Sequence, residues 1–111
     1  MSQYRRRRGY ESQRVVADYL RANGWPYAEP VGAGRQGSDV TGLLGIDLEI
    51  KARRDLDLTG ALRQIQARLR ADDIGLAVIR PDGIGPSRVA QWPAVMTLET
   101  ANRLLMKWSE S

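Results

Sequence analysis

The sequence contains no cysteine, no histidine and no phenylalanine. Without cysteine the chain can form neither disulfide bonds nor a thiolate metal site. Without histidine it lacks both an imidazole general base and the histidine ligands that zinc enzymes use. Any metal chemistry must therefore depend on oxygen ligands, a donor set that favours Mg²⁺ or Mn²⁺.

Long apolar runs are also missing. No stretch approaches the ~18 consecutive apolar residues of a membrane span, and the opening Met-Ser-Gln-Tyr-Arg-Arg-Arg-Arg has no apolar core of the signal-peptide kind. We therefore expect no membrane partner and a cytoplasmic location.

The residues that are present fit one basic domain. The chain has 111 residues, 42% of them apolar, which suits a single domain over residues 1–111. Its net charge is +4, and 15 of its 17 basic residues are arginine, the side chain that grips phosphate with two hydrogen bonds. This balance favours a nucleic-acid partner, although a solvated surface or a GC-rich genome gives a similar composition. Residues 1–8 carry the densest charge, and we expect a basic flexible arm there.

Hydrophobic periodicity predicts an α/β fold in which helices flank a mixed β-sheet. The first helix is expected to end at Gly24, and the apolar run from Ile74 to Ile79 is typical of a buried central strand. The predicted elements are a helix over residues 9–23, an edge strand within 25–32, strands over 38–42 and 46–52, a helix over 59–71, strands over 74–79 and 87–92, and a helix over 98–108.

Charged and apolar residues alternate around Glu49. A hairpin centred on Leu44 would place Asp39 directly opposite Glu49, with Cβ atoms ~4.5–5.5 Å apart. Two facing carboxylates repel each other, and a divalent cation offsets that repulsion well. Lys51 lies two residues after Glu49 and projects from the same face, where its ammonium can reach a phosphate. Two carboxylates for a metal ion and one cation are what phosphodiester hydrolysis requires.

The order of these motifs resembles that of the PD-(D/E)XK nuclease superfamily. A helix with an early glutamate comes first, and an aspartate, nine intervening residues and Glu-x-Lys follow it. Within it the chain is most similar to the archaeal-type Holliday junction resolvases. The resemblance covers roughly residues 8–80. It is carried by Gly9-Tyr10-Glu11-Ser12-Gln13-Arg14, by the loop Gly32-Ala33-Gly34-Arg35-Gln36-Gly37-Ser38, by Leu48-Glu49-Ile50-Lys51 and by Ile74-Gly75-Leu76-Ala77-Val78-Ile79. The superfamily's proline before the aspartate is Ser38 here.

The resemblance implies a restriction-endonuclease-like fold and a Mg²⁺- or Mn²⁺-dependent DNA endonuclease acting on branched DNA such as Holliday junctions. It implies Asp39 and Glu49 as metal ligands, Glu11 completing the metal shell from the first helix, and Lys51 as the catalytic cation. Ile50, which lies between Glu49 and Lys51, also belongs to the predicted ligand set. Glu11 is also expected on the buried face of its helix, because it lies four residues before Val15 and eight residues before Tyr19.

The remaining expectations concern DNA and a second subunit. Candidate DNA contacts are Arg5, Arg6, Arg7, Arg8, Arg35, Ser38, Arg53 and Arg54, and the other interpretation of Ser38 is a turn residue. Gln64 and Gln66 are candidates either for the active site or for the exposed face of their helix. Asp47 is expected to pair with Lys51 or Arg53. The resemblance also implies a homodimer, for which the candidate patch is Trp92, Met96, Leu105, Met106 and Trp108. Alternatives are another PD-(D/E)XK nuclease of restriction or repair type, a DNA-binding module that kept the fold without cleaving, and a plain interaction protein.

Overall fold

The structure, a computed structural model, describes residues 3–32, 37–52 and 57–111, with the backbone alone for Arg5 and Arg6. The elements in chain order are α1 (Gln3–Ala22), β1 (Glu29–Pro30), β2 (Val40–Thr41), β3 (Ile46–Lys51), α2 (Leu58–Arg68), β4 (Ile74–Ile79), a 3₁₀ helix (Pro86–Gln91), β5 (Ala94–Val95) and α3 (Leu98–Glu110). The predicted elements at 46–52, 59–71, 74–79 and 98–108 are confirmed, with small changes in their bounds.

Within the described residues, the strands form two small sheets rather than one. β3, β4 and β5 lie side by side in that order, with β3 and β4 parallel and β5 antiparallel to β4. β4 is thus the central strand of this sheet, as its continuous apolar run predicts. β1 and β2 form a separate antiparallel pair. The α/β class with a mixed sheet is therefore confirmed, while β2 lies outside the main sheet.

One face of the main sheet packs on α1. Val16 and Ala17 of this helix are buried with Leu48 of β3 and Val78 of β4. Because alternate residues of a strand point to opposite faces, the apolar positions of β3 face this core. The alternation predicted for the strand is confirmed.

The other face of the sheet carries charge and packs on α2. Parallel strands place paired residues on the same face, so Asp47 and Glu49 lie beside Gly75 and Ala77. α2 approaches this face so closely that a Cβ added at Gly75 would collide with the side chain of Ile65. The small residues of β4 thus let α2 lie directly over the charged positions of β3.

The basic N-terminus is helical. α1 begins at Gln3, so residues 3–8 of the predicted arm continue the first helix, and the flexibility of residues 1–8 stays a prediction. Glutamine and arginine both favour helix, and no proline interrupts them. Arg8 is further tied to the body of the protein, because its Nε donates to the carbonyl oxygen of Ala52 at 3.1 Å.

The strand predicted over 87–92 is also wrong, since Pro86–Gln91 form a 3₁₀ helix. A proline at the first helical position has its fixed φ already suited to a helix. Val89 and Trp92 are three residues apart, which is one turn of such a helix. Trp92 is 6% exposed and its indole nitrogen donates to Ile84 O at 2.9 Å. Trp92 therefore belongs to the core and is not part of an exposed dimer patch, contrary to the prediction.

The last helix, α3, is capped by Thr97, whose side chain accepts a hydrogen bond from Thr100 N. Arg103 fastens it to the body by donating to the carbonyl oxygen of Asp72 at 2.7 Å. Leu98, Leu105, Met106 and Trp108 are nevertheless exposed along it. In the part of the chain that the structure describes, none of the helices has the length and apolar character to cross a membrane.

Candidate active site

Three charged side chains of β3 face α2. The side chains of Asp47, Glu49 and Lys51 are only 16%, 14% and 24% exposed, and carboxylates buried this far need partners. Arg68 supplies them from the C-terminal turn of α2. Its Nε and Nη2 bond to Asp47 at 2.7 and 2.5 Å, and Nη2 also bonds to Glu49 at 2.8 Å. Among the described residues the partner of Asp47 is thus Arg68 rather than the predicted Lys51, which lies beside Glu49 instead; the alternative partner Arg53 lies outside the described residues.

The edge of β3 that faces away from β4 is closed by side chains. Leu48 N donates to Ser38 Oγ at 3.0 Å, and Ile50 N donates to Asp39 Oδ2 at 2.7 Å. These two oxygens satisfy backbone donors that a neighbouring strand would otherwise satisfy. Asp39 N in turn donates to Leu48 O at 2.7 Å, so the backbone pairs Asp39 with Leu48, one residue short of the predicted register opposite Glu49.

The carboxylate of Asp39 sits in an environment that disfavours its charge. Burial, the largest cause, raises the pKa of Asp39 from 3.8 to about 6. The hydrogen bond from Ile50 N opposes this rise in the pKa, whereas the neighbouring Glu49 adds to it. The two carboxylates therefore lie close together, as the sequence predicts, despite the shifted register. From the α1 side, Gln13 Nε2 donates to Asp39 Oδ1 at 3.2 Å, and Gln13 Oε1 accepts from Gly32 N at 3.0 Å.

Both oxygens of Glu49 have a cationic neighbour. Oε1 bonds to Arg68, and Oε2 lies 3.7 Å from Lys51 Nζ. Hydrogen bonding to Asp47 raises the pKa of Arg68 further above its already high value, so the guanidinium is charged. The repulsion between Asp39 and Glu49, which the sequence predicts a divalent cation to offset, is already reduced by the protein cations Arg68 and Lys51.

Glu11 lies elsewhere. Its side chain is 46% exposed and accepts a hydrogen bond from Arg80 Nη1 at 2.9 Å. The same Nη1 donates to the buried Ser12 Oγ at 3.0 Å, and the Arg80 guanidinium stacks over Trp92 at 5.5 Å. The prediction that Glu11 is on the buried face of α1 is wrong: Ser12 and Val16 occupy that face. The structure brings Asp39, Glu49 and Lys51 together and leaves Glu11 in a separate ion pair.

The donor set suits a hard divalent cation with few protein ligands. Mg²⁺ is commonly held by one or two carboxylates while it keeps several waters, and Asp39 and Glu49 are two partly buried carboxylates side by side. Within residues 3–32, 37–52 and 57–111, no three acidic side chains are grouped closely enough to hold a metal ion. Ile50 lies between the carboxylate and the lysine of β3, and its role as a ligand stays a prediction.

The predicted DNA contacts fall into three groups. Arg35, Arg53 and Arg54 lie outside the described residues, as do the side chains of Arg5 and Arg6. Arg7 is exposed, whereas Arg8 is held by Ala52 and lies 3.8 Å from a carboxylate oxygen of Asp82. Ser38 Oγ bonds to backbone groups of Val40 and Leu48. These contacts fit the interpretation of Ser38 as a turn residue. Gln64 and Gln66 are exposed on α2.

Two residues at the site were missed from the sequence, Gln13 and Arg68. Both lie on buried helical stripes that the sequence does reveal. Gln13 precedes Val16 and Ala17 by three and four residues, and Arg68 follows Ile65 by three. A polar residue on the apolar stripe of a helix is therefore the signal that would have found them.

Comparisons with protein-family models, with curated proteins and with solved structures give no significant match to this chain.

Proposed function

We propose that this protein is a metal-dependent DNA endonuclease with a restriction-endonuclease-like fold, acting on branched DNA such as Holliday junctions. The observation that carries the proposal is the pair of adjacent, partly buried carboxylates Asp39 and Glu49, with Lys51 on the face of Glu49. A partly buried carboxyl group whose pKa is raised, as that of Asp39 is, is typical of functional sites rather than of surfaces.

The arrangement of the elements is compatible with that fold. α2 connects the parallel strands β3 and β4 and covers one face of the sheet, while α1 covers the other. The Glu-x-Lys sequence lies at the carboxyl end of β3, where ligands bind in open α/β sheets. Asp39 reaches the same end through its bond to Ile50 N.

In this proposal Asp39 and Glu49 hold Mg²⁺ or Mn²⁺. Such an ion supplies Lewis-acid polarisation of the phosphate and neutralises developing charge. Lys51 contributes a positive charge beside the phosphate, and Gln13 holds Asp39 in place from α1. Glu11 keeps its predicted role in the metal shell only if its bond to Arg80 is given up, so its assignment is the weakest of the four catalytic candidates.

The test is cleavage of labelled DNA. Four-way junction, linear duplex and single strand of matched sequence are incubated with Mg²⁺, Mn²⁺ or EDTA, with Glu49→Gln as the inactive control. The proposal expects metal-dependent cutting that is strongest on the junction and absent in the Glu49→Gln protein. Equal cutting of duplex and junction would favour a restriction- or repair-type nuclease instead.

Symmetrical cutting of a junction needs two sites, and we propose a homodimer built on α3. Its exposed Leu105, Met106 and Trp108 are residue types enriched at interface cores. Light scattering at micromolar concentration should give about twice the 12.4 kDa of one chain. A mass near 12.4 kDa would remove the geometric basis for paired cuts.

A non-cleaving DNA-binding module is the second candidate, and one observation favours it. Both carboxylates already have protein partners, with Asp39 closing the edge of β3 and Glu49 bonded to Arg68. In that case the acidic residues stabilise the fold, and the basic surface alone binds DNA. DNA binding without any cutting by the wild-type protein in Mn²⁺ would establish this reading.

A further inference from the structure

Arg68 is hydrogen-bonded to the carboxylate of Glu49, which is a ligand of the proposed metal ion. Its Nη2 lies 2.8 Å from Glu49 Oε1, and a charge-assisted hydrogen bond of this kind is about twice as strong as a neutral one. A divalent cation that binds Glu49 through this oxygen is repelled by the guanidinium and draws on the same lone-pair electrons. Arginine and metal are therefore competitors at one oxygen atom.

This competition does not require Arg68 to leave. Its Nε bonds to Asp47 Oδ2, and its Nη2 also bonds to Asp47 Oδ1. This two-pronged contact matches the planar fork of a guanidinium and is independent of Glu49. Asp47 lies two residues from Glu49 on the same face of β3, so it holds the arginine beside the site in either state.

We propose that Arg68 is a latch that competes with the divalent metal ion for Glu49, and that Asp47 retains the arginine when the metal binds. This inference rests on the proposed metal site and adds its regulation. Without metal the latch neutralises the acidic pair and keeps the fold intact. With metal the guanidinium keeps its two bonds to Asp47 and remains charged next to Lys51.

The test is calorimetric titration of Mn²⁺ into the wild-type protein, Arg68→Gln and Asp47→Asn. Loss of the competitor should tighten binding in Arg68→Gln by about 10-fold or more. In Asp47→Asn the arginine has only Glu49 as a charged partner, so binding should weaken. A merely structural role for this ion pair would weaken binding in both variants, or change neither.

Removing any nearby positive charge also favours a cation, and Arg63→Gln controls for this. Arg63 is exposed on the same helix, so its replacement changes the net charge equally without touching Glu49. Long-range charge effects are screened within ~3 Å at 1 M salt. In high salt the effect of Arg63→Gln should vanish while that of Arg68→Gln persists. Equal effects of the two substitutions in high salt would overturn the latch.

A second readout follows the retained contact. In the ¹⁵N spectrum of the Mg²⁺-saturated wild-type protein, the Arg68 Nε–H signal should stay protected from exchange by Asp47. Loss of that protection would overturn the part assigned to Asp47, and this measurement needs no variant to fold. If wild type binds Mn²⁺ and Arg68→Gln binds no more tightly, the latch fails and the metal site stands. If neither binds Mn²⁺, the proposed metal site itself fails.

Discussion

Two glutamate–arginine pairs in this molecule have opposite burial. In the first, Arg80 is 10% exposed and Glu11 is 46% exposed; in the second, Glu49 is 14% exposed and Arg68 is 30% exposed. The buried partner in the first pair is the cation, which also bonds Ser12. In the second pair the buried partner is the acid, which lies next to Asp39, another acid.

The difference separates a pair with a structural role from the pair that we propose to be functional. A buried arginine with several partners joins elements of the fold, and its surface carboxylate adds little. Two partly buried carboxylates side by side cost stability, a loss that Arg68 and Lys51 reduce at Glu49, and we propose that the fold keeps both carboxylates because it uses them. We therefore propose that the chemistry takes place at the pair on β3, although the family resemblance implies Glu11 in the same site.

The largest expected effect is on DNA cleavage. Glu49→Gln and Lys51→Met should each lower the rate by ~10²-fold or more, the usual scale for a lost charge-stabilising group. Glu11→Gln should stay within a few-fold of wild type, because Glu11 is paired to Arg80. Single-turnover cutting of a labelled junction measures all three. A loss in Glu11→Gln as large as that in Glu49→Gln would break the distinction between the two pairs and restore Glu11 to the site.

The sequence was a good guide to β3 for a physical reason. Its alternation of apolar and charged residues fixes which side chains face the core, and this pattern depends on no other element. The proximity of Asp39 and Glu49 also followed from the sequence. The sequence does not predict the register of the two residues. Side-chain oxygens of Ser38 and Asp39 accept the hydrogen bonds of β3 that the backbone of a neighbouring strand would otherwise accept.

The partners of the acidic residues were much harder to predict. Asp47 and Arg68 are 21 residues apart in the chain, and their meeting depends on how α2 lies across the sheet. Glu11 was misplaced because two apolar residues at helical spacing, Val15 and Tyr19, suggested a buried stripe. The stripe is rotated to Ser12 and Val16, a difference that only packing against β3 and β4 determines.

The basic start of α1 gives the second effect. Replacing Arg5, Arg6 and Arg7 together with glutamine should lower the slope of log K against log salt by up to ~2.7, at ~0.9 per phosphate contact. Arg8→Gln should instead reduce stability, because Arg8 holds Ala52. Fluorescence anisotropy on one DNA over a range of salt gives the slopes. An unchanged slope in the triple variant would mean that this turn of the helix does not touch the DNA backbone.

The structural pair should show its asymmetry in unfolding experiments. Arg80→Met loses bonds to Ser12 and Glu11 and the contact with Trp92, and should cost about 1–3 kcal/mol. Glu11→Gln removes only an exposed acid and should cost about 0–1 kcal/mol. Urea unfolding followed by tryptophan fluorescence measures both. Equal losses in the free energy of unfolding would show that Arg80 and Glu11 contribute equally to stability, and would contradict the asymmetry of this pair.

The smallest effect concerns the protonation of Asp39. A folded-state pKa of about 6, above the ordinary 3.8, means that the native protein holds this proton more tightly than the unfolded chain. Without metal, the part of the stability due to Asp39 is therefore present at low pH and is lost as pH rises from about 4 through about 6. The advantage of Asp39→Asn over wild type should grow across that range in EDTA. A constant difference between the two proteins would contradict the raised pKa.

The most direct measurement is the location of bound Mn²⁺ by its paramagnetic broadening of amide signals. We expect that traces of Mn²⁺ first broaden the amide signals of residues 38–40 and 48–51, and that Glu49→Gln abolishes the effect. The indole signal of Trp92, beside the Glu11–Arg80 pair, should persist at the same metal concentration. Broadening that begins at Trp92, or the absence of site-selective broadening in the wild-type protein, would contradict the assignment of the metal site to Asp39 and Glu49.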